Sequence, residues 1–354
     1  MRAPTHWVED RSEAVVSQWR SLHHTCGLHD ASKRGRLCLV GTDRARFLHG
    51  QLTQEVKGLQ PGEGAYAALA DARGRFLCDL NLYCLEEEFL LDFDIDLVEA
   101  VQQRLERYLV SEDVSVIDAS PLVKMLTLQG PRAGHLLQEF LGAVQLPSKL
   151  GEIRQISCDL LDEDLYLSFR PRGASVGFDL FLPTASSQRF QDALLDQLVR
   201  HQGHSVGELA MEMLRIESGL PRTGYELTAS VLVQEAGLER AMISFNKGCY
   251  IGQEVISRIK TAGRVPRQLT QFILPELPPD LKQESFELVA AGKACGWLTS
   301  VAVLPDHPQR AVALGYVSTA VLEANQVISL LSADGSEVAL SISGPIAAYH
   351  PELG

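Results

Sequence analysis

The sequence predicts a multi-lobed α+β body followed by a C-terminal antiparallel β-barrel. Three observations predict it. The chain has 354 residues, more than one compact core usually holds, so two or three lobes are expected. From residue 37 to 204, short apolar runs of strand character alternate with stretches of period 3.6, the mark of interspersed strands and helices. Beyond residue 268 the helical period gives way to short strand-like runs separated by turn residues, as in a small barrel or sandwich. The expected division is therefore 20–267 for the α+β body and 268–350 for the barrel.

In the body, Leu37–Val40, Ala65–Ala70, Phe76–Tyr83, Phe89–Phe93, Val114–Ile117 and Val123–Leu128 read as strands. Ile153–Cys158, Leu165–Phe169 and Phe178–Leu182 follow. Leu97–Val110 is amphipathic, with Leu97, Val101, Leu105 and Leu109 on one face. Pro131 opens a second helix reaching Phe140, and Gln188–His201 is a third. Ser205 with Glu208 has the spacing of a capping box for a fourth, which runs to Ser218 and stops at Gly219. In the barrel, Gln268–Leu274, Phe286–Val289, Ala294–Val303, Ala311–Val317, Val327–Leu331 and Val338–Ile342 are expected strands, with Pro275, Pro278 and Pro279 connecting the first two.

Composition narrows the function classes. A hydrophobic content of 45% and a charged content of 22% are ordinary for a soluble globular protein. No apolar run is long enough to span a bilayer. Met1–Arg20 lacks an apolar h-region and carries Glu9, Asp10 and Glu13, which argues against a presequence and for a cytoplasmic protein without membrane contact. The seven cysteines are odd in number and never spaced as CxxC, so neither a disulfide framework nor a metal ligand set is read from them. The ten histidines show no HxxxH or HExxH spacing, and His23, His24 and His29 read as surface residues. A net charge of −13 disfavours nucleic acid as a direct partner. Against that background Lys247–Arg267 holds five cations and one acid, a local +4, which is either a solvated helix face or a cradle for an anionic tail.

The densest chemistry lies at Lys247-Gly248-Cys249-Tyr250-Ile251-Gly252-Gln253-Glu254, followed by Arg258. Val255, Ile256 and Ile259 fall on one face of a short helix that Gly252 caps and Gly263 ends. Cys249 then lies just ahead of a helix N-terminus and two residues from the Lys247 ammonium, both of which favour thiolate. The alternative is a buried structural cysteine beside Tyr250 and Ile251.

This segment fills every position of a KGC(Y/F)xGQExxxR pattern and resembles the signature of the YgfZ family, folate-binding relatives of the glycine-cleavage T-protein. Gly41–Leu48 with Gln51-Leu52-Thr53, Leu126–Ala133, Leu214–Pro221 and Glu235–Leu238 are similar to further blocks of the T-protein superfamily. The resemblance covers roughly residues 20 to 320 and implies a three-lobed body with a folate in a central channel. It implies tetrahydrofolate or a one-carbon derivative as cofactor, and iron–sulphur enzymes, including those that thiolate tRNA, as transient partners. Cys249 and Lys247 would then be the reactive pair, with Tyr250, Gln253, Glu254 and Arg258 ordering the loop and contributing to the ligand site.

Two stretches depart from the T-protein pattern. The pterin carboxylate, in a Gly-Tyr-Glu segment there, corresponds to Asp179 after Phe178 here. Where T-proteins carry a pair of acids, Cys78 precedes Asp79, and losing one acid argues against aminomethyl transfer. The leading expectation is a folate-dependent accessory protein for iron–sulphur enzymes. The alternatives are a tetrahydrofolate-dependent aminomethyltransferase and a folate-binding regulator without catalysis. Arg215 and Glu217 are expected to include a structural ion pair near the end of their helix.

Overall fold

The computed structural model describes residues 5–274, 286–306, 311–331 and 337–344. Three sheets organise them. The first is antiparallel, in the order Gly64–Ala70, Phe76–Cys84, Glu88–Asp94, Arg34–Val40, Ser115–Asp118. The second runs His204–Ser205, Gly27–Asp30, Val123–Gln129, Gly177–Pro183, Leu165–Phe169, Ile153–Ile156. It is antiparallel except for its short edge strand. The third closes on itself, because Lys293–Val303 pairs with both Glu287–Ala290 and Ala311–Ser318. With Ile328–Leu331, Glu337–Gly344 and Arg267–Leu274 this makes a six-stranded antiparallel barrel, to which His6–Val8 adds a parallel strand. The fold is the α+β body with a C-terminal barrel that the sequence predicts.

Strand alternation decides what each sheet buries. In Phe76–Cys84 the even positions Cys78, Leu80, Leu82 and Cys84 enter the first lobe's core, beneath the helices Arg44–Gln51 and Val98–Glu106. In Gly177–Pro183 the even positions Phe178, Leu180 and Leu182 enter the second lobe's core, beneath Ala133–Leu141 and Ser187–Arg200. The odd positions of both strands meet between the sheets. Tyr83 and Phe181 stack edge-on with ring centroids 5.5 Å apart, and Met125, Leu90 and Ile153 pack around them. Such a buried aromatic pair adds roughly 0.5–1.5 kcal/mol to its area burial. Further along the same faces the residues turn polar, and there the sheets part.

Two local expectations are revised. The helix expected to reach Val110 ends at Glu106. Tyr108 and Leu109 close on Leu105 and Glu106 with i→i−3 bonds, a tightened last turn that leaves Val110 in solvent. Ser205 caps nothing. It pairs in parallel with Leu28, and Gly207 is the N-cap of the helix Glu208–Glu217. The prolines at 275, 278 and 279 lie outside the described residues, as do 345–350 of the expected barrel. Among the described residues no helix is long and apolar enough to cross a membrane.

Candidate functional site

Where the sheets part, a cavity opens, closed on its third side by the helix Glu208–Glu217 and the segment that follows it. Asp79 stands on its wall because it lies on the odd face of its strand. The Tyr66 hydroxyl donates to Asp79 Oδ2 at 2.8 Å and the Thr223 hydroxyl donates to Oδ1. Cys78, one residue earlier, faces the opposite way and is fully buried. Burial raises its thiol pKa well above the ordinary value. The identity of residue 78 therefore has no bearing on the cavity's chemistry, and the argument against aminomethyl transfer drawn from it does not hold.

Charge is dense around this cavity and almost all of it is paired. Asp179 is fully buried, and Arg172 grips both its oxygens, Nε to Oδ1 at 2.9 Å and Nη2 to Oδ2 at 2.6 Å. The same Arg172 reaches Asp92 at 3.1 Å, and Asp92 also takes Arg34 at 2.5 Å and the Asn81 amide at 2.8 Å. Burial opposes the charge of Asp92, but the two guanidiniums outweigh it and hold its carboxyl at about 2. Arg215 is a second hub. It donates to Glu212 at 3.0 Å, Glu226 at 3.0 Å, the Leu220 carbonyl at 2.8 Å and the Ser300 hydroxyl at 3.0 Å. The structural ion pair expected for one of Arg215 and Glu217 is thus that of Arg215 with Glu212 and Glu226, while Glu217 takes the Trp19 indole at 3.0 Å. Ser300 belongs to the barrel, so this ion cluster ties the barrel to the cavity. Glu212 is held at about 2, because Arg215 and Arg222, with a hydrogen bond from His6, overcome its burial.

The signature segment sits elsewhere. None of Cys249, Tyr250, Gln253, Glu254 and Arg258 lines the cavity. Lys247 is buried, and its ammonium donates to the carbonyls of His49, Leu52 and Gln54 at 2.6, 2.7 and 2.7 Å. Two of these carbonyls belong to the end of the helix Arg44–Gln51, whose last carbonyls have no intrahelical partner. Burial pulls the Lys247 pKa down to about 8. Three accepting carbonyls act the other way, since a neutral amine has only two N–H groups to donate. No hydrogen bond joins Lys247 to the Cys249 thiol among the described residues. The ammonium's nearest aromatic contact is the Tyr250 ring, 4.9 Å away.

The rest of the motif builds the turn. Gly252 has φ +88°, and a Cβ there would come within 2.6 Å of the Asp71 carbonyl oxygen, so only glycine fits. The Gln253 side-chain carbonyl accepts from the Tyr250 amide at 3.3 Å, opening the helix Gln253–Ala262, which ends at Gly263 as expected. Tyr250 is buried, and burial raises its phenol to about 12. Cys249, Glu254 and Arg258 remain exposed, and Cys249 is the one exposed cysteine of the seven. Of the five cations in Lys247–Arg267, Lys247 is consumed within the body and Arg267 pairs with Glu235 at 2.8 Å. Phe178 packs on Phe169 in the second lobe's core, on the far face of its strand from Asp179, and forms no wall of the cavity.

Several cavity residues carry no sequence signal of their own. Tyr66, Arg172 and the adjacent Arg222 and Thr223 lie on three separate segments and meet only in the fold. His29 also lines the cavity, fixed by the Val206 carbonyl at 2.8 Å, rather than lying on the surface as expected. Strand period alone places it on the face opposite the buried Leu28, and that signal was available.

A family model described as "GCVT N-terminal domain" matches residues 1–247. An aminomethyltransferase of Exiguobacterium sibiricum is 28% identical over 308 residues, covering 86% of this chain and 82% of that protein. One of Desulforamulus reducens is 25% identical over 331 residues, covering 90% and 86%. The crystal structure of glycine cleavage system aminomethyltransferase T from Bartonella henselae superposes with a TM-score of 0.79 at 22% identity, over 93% of this chain and 88% of that one. The match covers both facing sheets, the strand that carries Asp79 and the buried lysine that ends it, and so this chain belongs to the GCVT family, that of the glycine-cleavage T-proteins.

Proposed function

We propose that this chain binds a reduced folate, tetrahydrofolate or a one-carbon derivative, in the central cavity, and acts on it in the manner of an aminomethyltransferase through Asp79. The observation that carries this is the Asp79 carboxylate, set on the cavity wall and oriented by the Tyr66 and Thr223 hydroxyls. The cavity's donor set suits such a ligand. Met211, Leu220 and Pro221 offer an apolar wall for a flat ring, and Lys33 offers a cation for a glutamate tail. Both oxygens of Asp179 are on Arg172, and Arg172 rather than Asp179 lines the cavity, so at that end a ligand meets a guanidinium where an accepting carboxylate was expected. Tetrahydrofolate supplies the amine that takes up a one-carbon unit. Asp79 is placed to hold or take the proton that this amine exchanges, and its charge would stabilise a cationic centre developing beside it.

The test is calorimetric titration of the chain with tetrahydrofolate, beside a glycine-cleavage assay with H-protein. Binding that Asp79→Asn preserves, with turnover that it abolishes, is the expected pair of results. Absence of binding at millimolar folate would end this reading.

A second reading is favoured by a specific observation. Cys249 is exposed on a loop that Lys247, Gly252 and Gln253 hold in place, outside the cavity, and aminomethyl transfer has no use for it. In this reading the folate-loaded protein is an accessory of iron–sulphur enzymes, such as those that thiolate tRNA, with Cys249 as the group that meets them. Complementation of a host lacking its YgfZ-type protein separates the two. Rescue of cluster-enzyme activity that Cys249→Ala removes, without glycine-cleavage activity, selects the second.

A further inference from the structure

On the outer face of the second lobe three side chains from two helices converge. His135 and Glu139 lie four residues apart on Ala133–Leu141, so both project from one side of it. His201 is the C-cap of Ser187–Arg200, its backbone N–H held by the carbonyls of Gln197 and Leu198. The helices are locked together by core packing, with Phe140 edge-on to Phe190 at 5.1 Å. The spacing of the three groups is therefore a property of the fold and does not depend on surface rotamers alone.

The two imidazoles address opposite oxygens of one carboxylate. His201 Nε2 is 2.8 Å from Glu139 Oε2 and His135 Nε2 is 3.5 Å from Glu139 Oε1. The rings are 5.4 Å apart and tilted by 65° rather than stacked. All three ligand atoms lie within 4.8 Å of one another. In a tetrahedral site with bonds of about 2.0–2.1 Å, neighbouring ligand atoms are about 3.3–3.4 Å apart, a separation that the two histidine-to-carboxylate distances bracket, each on its own oxygen of Glu139. Gln197 donates to Glu139 Oε2 at 3.2 Å, an outer-shell contact that steadies the carboxylate.

We propose that His135, Glu139 and His201 form a binding site for one divalent transition-metal ion of the zinc class. Two imidazoles and one carboxylate are the donor set of borderline metals, not of magnesium or calcium, which prefer oxygen alone. His135 and Glu139 are exposed and His201 is half-buried, so the fourth position opens to solvent and is filled by water. The metal clasps the two helices that cover the second lobe, far from the folate cavity in function and independent of the reading proposed for it.

The experiment uses the full chain without a histidine tag, stripped with a chelator. Calorimetric titration with Zn2+ near neutral pH should show one equivalent bound. Substitution of Co2+ should give the intense visible bands of a tetrahedral ion. His135→Ala and His201→Ala should each weaken binding at least about tenfold, while Cys249→Ser leaves it unchanged. Circular dichroism of each variant checks that the lobe is folded. No stoichiometric uptake by the wild-type chain, or uptake that survives both histidine substitutions, overturns the proposal.

Discussion

The central cavity and the signature loop use the same kinds of residue to opposite ends. Around the cavity, arginines and acids from distant segments neutralise one another and leave one oriented carboxylate, Asp79, facing the space. In the loop, consecutive residues that read as a reactive cluster are mostly architecture. Lys247 ends a helix, Gly252 permits a turn, Gln253 closes it, and one thiol is left in solvent. A dense motif therefore marks where the backbone is most constrained. The site where a ligand fits is assembled from residues that no short motif contains.

The largest effect that tests this contrast is on stability. Arg215→Ala leaves Glu226, fully buried, without its cation, and Glu212 with Arg222 alone. Breaking such a cluster on one side costs about 3–5 kcal/mol, measurable by urea unfolding. Glu254→Ala, in the exposed part of the signature, should stay within about 0.5 kcal/mol. Equal losses in the two variants would erase the distinction.

The next effect is on rate. Asp79→Asn keeps the shape of the wall and removes its charge, so folate-dependent transfer should fall on the order of a hundred- to thousand-fold, with the melting temperature little changed. Cys78→Ala, on the other face of the same strand, should leave the rate alone and cost stability through a small cavity in the first lobe's core. A rate loss in Cys78→Ala would restore the paired-acid argument.

How far the fold was legible follows from the same contrast. Strand period located most strands to within a few residues, because each sheet of the body buries one face against helices and the other against its partner sheet, but it passed over His6–Val8, Gly27–Asp30 and His204–Ser205. The pattern of Gly177–Pro183 even separated Phe178 from Asp179, had the alternation been carried through to the site. Residues whose role comes from a partner far along the chain were illegible. Arg172 looks like a loop cation until Asp179 and Asp92 are set beside it. Ser205 looks like a helix cap until Leu28 claims it for a sheet. Lys247 looks like a neighbour of Cys249, although its ammonium serves carbonyls nearly two hundred residues upstream.

The cavity's ion clusters also fix the acid limit of the protein. Asp92 and Glu212 are both held at about 2, below their ordinary values of 3.8 and 4.5. A carboxyl with a depressed folded pKa contributes stability above its unfolded pKa and loses it as pH falls through the folded one. Their contribution, roughly 2–3 kcal/mol apiece, should therefore be intact above about pH 5 and vanish between about pH 4 and pH 2. Urea midpoints across that window measure it. Asp92→Asn should flatten the slope, while Glu254→Gln in the exposed loop should not.

Lys247→Met comes next. It removes the ammonium from three buried or half-buried carbonyls, and each group left without a partner costs about 1–3 kcal/mol where water cannot replace it. His49, Leu52 and Thr53 are buried and Gln54 is half-buried, so water replaces little of the lost bonding and a loss within that range is expected. Hydrogen exchange should rise over Arg44–Gln51. Unchanged exchange there would mean that the clasp carries no load and that Lys247 is free for chemistry at the thiol.

The smallest effect on stability belongs to the residue with the greatest apparent promise. Cys249 makes no hydrogen bond among the described residues and is exposed, so Cys249→Ala should shift stability by less than about 0.5 kcal/mol. Its reactivity, by contrast, should stand apart. Burial raises the thiols of Cys38 and Cys78, and that of Cys26 to about 11, which keeps them protonated and shielded, whereas the Cys249 thiol meets solvent at the start of the helix Gln253–Ala262. Iodoacetamide labelling of folded protein near neutral pH, mapped by mass spectrometry, should therefore mark Cys249 first among the seven. If Lys247 acts only as a clasp, Lys247→Met should change that rate no more than the loosened loop itself does, which Gly252→Ala, another variant that disturbs the turn, calibrates. A specific slowing in Lys247→Met beyond that control would return the ammonium to the thiol and make the loop a reactive pair.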